Sequence, residues 1–169
     1  MNRFSASVIS VILILCLMSS CGNESSASLL TPQGSFSVHM KAKKGEALFE
    51  ADIDCFSYND ITLTFTYPEE LSGFAVSSSE NAYIINIFGV NDIMSEEEIS
   101  KTSLLNILFN TIRISVFSNH GQFKKADSGF SAALTVDDIP ISVTFSEDGY
   151  LTSISAEAIN FSAEFQKSG

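Results

Sequence analysis

Three carboxylates stand at alternate positions in Phe49-Glu50-Ala51-Asp52-Ile53-Asp54. Carboxylates at this spacing share one strand face, where a pair can trade a proton or hold calcium. A charged outer sheet face accounts for them equally well. A hydrolase would use Asp52 or Asp54, and that reading ranks behind a binding or interaction role. The two histidines, His39 and His120, have no metal-ligand spacing to a cysteine or to each other. Both read as solvated residues, the first on a strand and the second in a turn. Arg113 reads as a helix residue with its stem on the core and its head in water, or as one cation at a cavity rim facing an anionic headgroup. The chain has no glycine-rich phosphate loop, no G-x-S-x-G and no H-E-x-x-H. These residues imply no enzyme, no cofactor and no metal site.

The remaining chemistry is that of thiols. Arg3 and the free amine give a positive start, Val8 to Leu17 is a short apolar run, and Ser19-Ser20-Cys21-Gly22 follows. This is the three-part layout of a signal peptide. The run is too short to span a bilayer of about 30 Å. It resembles a bacterial lipoprotein signal, although Met18 stands where leucine is usual, three residues before the cysteine. The resemblance implies cleavage after Ser20 and acylation of Cys21, so the membrane is a partner through that residue. The other readings are a plain secreted chain cut near Gly22 or Ala27, and an uncleaved anchor. One acyl chain binds a membrane only marginally, so stable anchoring takes two or three. Fatty-acid labelling distinguishes these cases. With Cys21 acylated, Cys55 has no disulfide partner and reads as a small buried hydrophobe.

The elements that carry these residues follow from periodicity. Residues 21–34 are serine-rich and read as a flexible tether; residues 35–169 read as one domain. Removing residues 1–20 takes one base, Arg3, and leaves 8 basic and 20 acidic residues, a charge of −12. That charge repels nucleic acid, which is excluded as a partner. Phe36, Val38 and Met40 alternate with polar residues, and so do Ala47 to Cys55 and Ile61 to Tyr67. Pro68 ends the third strand. A strand is expected near Phe74–Ser78, and Tyr83–Phe88, apolar on both faces, reads as a central one. Ser95 and Glu98 form a capping box, with Glu96 to Glu98 in favourable positions at a helix N-terminus. From Ser103 to Val116 the period is helical: Leu105, Leu108, Ile112 and Val116 share a face, with Asn106, Asn110 and Arg113 on the polar side. Extended structure over Ile112–Phe117 is the alternative there. Strands resume at Phe130–Val136 and Ile141–Phe145, Glu147-Asp148-Gly149 marks a hairpin, and the phase slip near Ala158 predicts a β-bulge.

Strands, one helix and strands again give an α+β fold: a curved, mostly antiparallel sheet with one main helix on its concave face. With Cys21, with Phe49-Glu50-Ala51-Asp52-Ile53, with Tyr67-Pro68-Glu69-Glu70-Leu71-Ser72-Gly73 and with Ile139-Pro140-Ile141, the chain resembles the LolA-like and LppX-like lipoprotein-carrier superfamily over most of 35–166. That resemblance implies an unclosed barrel that holds acyl chains or lipids between sheet and helix. Cys21, the small share of helix and the lack of tryptophan depart from the soluble carriers and point to the anchored branch. Two functions stay open. One is an anchored extracytoplasmic protein of the bacterial membrane that binds an acyl chain, lipid or other apolar ligand. The other is an envelope interaction or sensor domain with a filled core and a protein partner. A ligand cavity would have Phe49, Ile53, Leu63, Phe65 and Ile85 as walls and Leu105, Leu108 and Ile112 as lid. A phenylalanine at Ala51 is expected to fill it and leave the fold intact.

Overall fold

The computed structural model describes residues 30–118 and 123–167. Cys21, the signal segment 1–20 and His120 lie outside them. Eleven strands form one antiparallel sheet: β1 (Phe36–Lys44), β2 (Ala47–Ser57), β3 (Asp60–Tyr67), β4 (Ala75–Ser78), β5 (Ala82–Ile87), β6 (Val90–Ser95), β7 (Lys124–Ala126), β8 (Gly129–Val136), β9 (Ile139–Phe145), β10 (Leu151–Ala156) and β11 (Phe161–Lys167). Their order is β6-β5-β4-β3-β2-β1-β11-β10-β9-β8-β7, so the curved sheet has two free ends and does not close. The first and last strands pair at its centre, His39 opposite Gln166 and Ala42 opposite Ala163.

Alternation builds the core. Val38, Met40, Ala51, Ile53, Cys55, Ile61, Leu63, Val143 and Ile154 are all at most 2% exposed and point to one face. On the other face Asp52 lies opposite His39 and Asp54 opposite Ser37. Every buried apolar side chain among the described residues falls between Phe36 and Phe165, so this part of the chain carries its own core.

Against the inner face lies one helix, α1 (Leu104–Ile112), extended by a π-helical turn over Arg113–Phe117. Ser103, extended at φ −65° and ψ 151°, caps it: its hydroxyl accepts the Asn106 N–H at 3.1 Å. Ser103→Ala should therefore cost about 1 kcal/mol, seen as a lower urea midpoint with an unchanged slope. The β-branched stretch to Phe117 continues as helix, not as the extended alternative.

The capping box at Ser95 opens a separate short 3₁₀ turn, Glu96–Glu98, ahead of the main helix, as the sequence predicts. Three features differ from the sequence expectations. The phase slip near Ala158 is no bulge; a 3₁₀ turn over Glu157–Ile159 and left-handed Asn160 (φ +51°) reset the register between β10 and β11. The serine-rich composition predicts that residues 30–34 belong to the tether, yet Leu30 packs against the core and the Gln33 N–H donates to the Gly149 carbonyl at 2.9 Å. Finally, Tyr83–Phe88 is not central. Its strand, β5, pairs with the unforeseen edge strand β6 through a two-residue turn at Phe88-Gly89. Both turn residues have positive φ, +50° and +87°, as a type I′ hairpin turn requires. Asn86 braces the turn: its Oδ1 accepts the Gly89 N–H at 3.1 Å and its Nδ2 donates to Asn91 Oδ1 at 2.6 Å.

Candidate functional site

Five of the eight expected cavity residues belong to the buried core. Ile53, Leu63 and Phe65 come from the sheet and Leu108 and Ile112 from α1, all at most 5% exposed. A void the width of an acyl chain would leave free surface on its walls, and these side chains have almost none. Met40 and Tyr83, also wholly buried, and Phe109 fill the space beside them; the Tyr83 and Phe109 rings lie 5.2 Å apart. Ala51 has no exposed surface and sits opposite Met40 and Phe65. A phenylalanine there overpacks a closed core, so the expectation that it leaves the fold intact is corrected.

Phe49, Ile85 and Leu105 are different, because each is only partly covered. Phe49 lies near the β1–β2 turn, whereas Ile85 stands in line with Val76, Leu63 and Ile53. The Phe49 and Phe65 rings are 6.3 Å apart, and the Phe65 and Phe74 rings 5.8 Å. Beyond Phe74 the same inner phase continues to Ile87 and Val90, which pair with each other and are exposed. An apolar row thus crosses the sheet from β2 to β6, open on the helix side.

The polar side of α1 forms the second feature. Asn106 donates to Asp137 Oδ2 at 2.7 Å, Asn110 to Asn106 Oδ1 at 2.9 Å, and Arg113 to Asn110 Oδ1 at 3.3 Å and Glu96 Oε1 at 2.5 Å. This hydrogen-bonded line runs the length of the helix, from the β8–β9 turn to the end of β6. Arg113 also donates to the carbonyls of Tyr58 at 3.2 Å and Ser79 at 3.3 Å, and its guanidinium lies over the Tyr58 and Tyr83 rings. Its side chain is 4% exposed. The reading of Arg113 with its head in water is therefore corrected, and a cation at a rim fits no better. Helical spacing placed the three polar residues on one face; it could not show that strand turns cover that face.

On the outer face, His39 Nδ1 lies 2.9 Å from Asp52 Oδ1 and its Nε2 lies 3.4 Å from Glu50 Oε2. Ser37 donates to Asp54 Oδ1 at 2.5 Å. The three carboxylates thus brace neighbouring strands on a wet face. Burial, and secondarily the charge of Asp60, pushes the Cys55 thiol up to about 12, which keeps it in the unreactive form. An outer cleft of about 450 Å³ is lined by Lys41, Lys43, Leu48, Phe49, Glu50 and Tyr67. Tyr67 pairs with Glu50 across an irregularity in β2–β3. This cleft lies outside the helix–sheet seam.

No family model and no curated protein matches the chain. Among solved structures it is similar to a LolA superfamily protein from Nitrosomonas europaea, at 13% identity, with 86% of this chain and 89% of that chain covered and a TM-score of 0.45. It is also similar to the lipoprotein LppX from Mycobacterium tuberculosis, at 17% identity, with 80% and 86% covered and a TM-score of 0.41. At these identities the likeness concerns fold alone.

Proposed function

We propose that this chain is a non-enzymatic extracytoplasmic lipoprotein, anchored through acylated Cys21, that takes an acyl chain, lipid or other apolar ligand on the inner face of its sheet. The observation that carries this is the apolar row of Phe49, Phe74 and Ile85, each partly covered, and of Ile87 and Val90, both exposed, beside a buried core. Exposed contiguous apolar surface is the kind that proteins keep for a partner. Each CH₂ covered there would gain about 0.8 kcal/mol. The ligand lies along the row, at the margin of the seam, with Phe65 and Leu105 at its inner border. The strong negative charge favours a headgroup that is neutral or cationic, or that stays in water.

Titrating residues 22–169 with a fluorescent fatty acid, beside native mass spectrometry for co-purified lipid, tests the ligand. Saturable binding is expected, with Ile87→Glu, at an exposed position of the row, weakening it about tenfold or more, the loss of a few covered CH₂ groups, at an unchanged melting temperature. Absence of saturable binding by the wild type sinks the ligand reading. The closed seam of Ile53, Leu63, Leu108 and Ile112 favours a second reading, an envelope interaction domain with a filled core. Labelling with a fatty-acid probe that Cys21→Ser abolishes is the result expected for the anchor.

A further inference from the structure

The two free edges of the sheet are finished differently. β7 has three residues, two of them exposed lysines, and short charged edge strands resist pairing. β6 has six residues and Asp92 is its only charge. From Asn81 to Ser95 no other charge occurs, in a chain of net charge −11. Ile93 and Val90 are each 71% exposed. Because Ile87 and Val90 close a two-residue turn, the ladder bonds of the hairpin belong to Ile87–Val90, Ile85–Asp92 and Tyr83–Met94. The backbone groups of Asn91, Ile93 and Ser95 therefore face away from β5, along the free edge. Such a row of groups is a ready template for another extended strand.

We propose that β6 pairs antiparallel with β6 of a second copy of this chain, about a two-fold axis at Ile93. In this register Ile93 faces Ile93 of the partner subunit, Asp92 faces Met94 of the partner subunit, and Asn91 faces Ser95 of the partner subunit. Ile84 and Ile93 are cross-strand neighbours within one copy, so the two copies join four isoleucines into one ridge on the outer face. No like charges stand opposite each other, which sheet pairing disfavours. The acidic turn Glu96–Glu98 lies towards the uncharged hairpin tip of the other copy. An axis at Asp92 would instead set two carboxylates face to face, and an axis at Asn91 shortens the overlap.

Two edge N–H groups are capped in the single copy. Asp92 Oδ1 accepts the Ile93 N–H at 3.0 Å, and Glu98 Oε2 accepts the Ser95 N–H at 2.9 Å. The capping box at Ser95 stays in place on pairing. Ile93 N–H donates to the Ile93 carbonyl in both directions, and Asn91 N–H to the Ser95 carbonyl in both directions. Only the Asp92 cap must swing aside, so Asp92 acts as a gate that weakens association.

Sedimentation velocity of residues 22–169 across a concentration series tests this, since that chain contains the whole described core. A monomer–dimer equilibrium is expected. Ile93→Lys sets two like charges opposite each other and should raise the dissociation constant about tenfold or more; Asp92→Ala should lower it. Register is read by cross-linking. A hydrogen-bonded antiparallel pair holds its Cα atoms about 5.5 Å apart, within disulfide reach. Oxidised Ile93→Cys should give a covalent dimer, and Asn91→Cys should not; Cys55 is buried and does not compete. A monomer at every concentration, a dimer untouched by Ile93→Lys, or cross-linking at position 91 instead of 93 overturns the proposal.

Discussion

Glu96→Ala should lower stability by about 3–5 kcal/mol, the cost of leaving a buried charge without its counterion. The Arg113 side chain is 4% exposed against 31% for Glu96, so the penalty falls on the guanidinium. Its bonds to the carbonyls of Tyr58 and Ser79 and to Asn110 remain, which holds the cost towards the lower bound. The measurement is the urea midpoint at constant slope. Combining Glu96→Gln with Arg113→Met should recover part of the loss, because removing both charges leaves neither orphaned. If Glu96→Ala changes the midpoint by less than about 1 kcal/mol, the value of an exposed ion pair, then the pair is open to water and the line along α1 does not hold the turns together.

Leu108→Ala should cost about 3–5 kcal/mol, the upper part of the range for large-to-small core changes. Leu108 is 1% exposed and packs in the seam with Ile107, Phe109 and Ile112, which are equally buried. A residue lining an empty ligand cavity would give up less, because its neighbours already lack contacts on one side. The result therefore measures how completely the seam is filled. A cost near 2 kcal/mol, the lower bound for such changes, together with tighter binding of a small apolar probe, would show that the seam opens in solution.

Period-two alternation made most strands legible, because one face of each is buried and the other wet, as in Ala51 to Cys55 and in Ile61 to Phe65. The helix was legible from Ser103 and the spacing of Leu105, Leu108 and Ile112. Two elements escaped for definite reasons. β6 buries none of its residues fully, so it carries no alternation, and the turn before it has phenylalanine where asparagine or glycine is usual. β7 has only three residues, all exposed. For the site, periodicity placed Phe49, Phe65 and Ile85 on the inner phase, which is where they lie. Which of them would be covered depends on how far α1 reaches across the sheet, a matter of tertiary packing. Arg113 and Glu96 stand seventeen positions apart, and no local pattern links them.

Pairing of β1 with β11 also sets the order in which this molecule can be finished during synthesis. Strands β1 to β6 form one run of hairpins and β7 to β11 another, and each run can assemble from neighbours in sequence. The join between the runs uses the first strand and the last. A ribosome or an export channel must therefore release almost the whole chain before the two half-sheets can close. Contacts between distant parts of a chain slow folding, and until they form, the facing edges of β1 and β11 stay open to wrong partners.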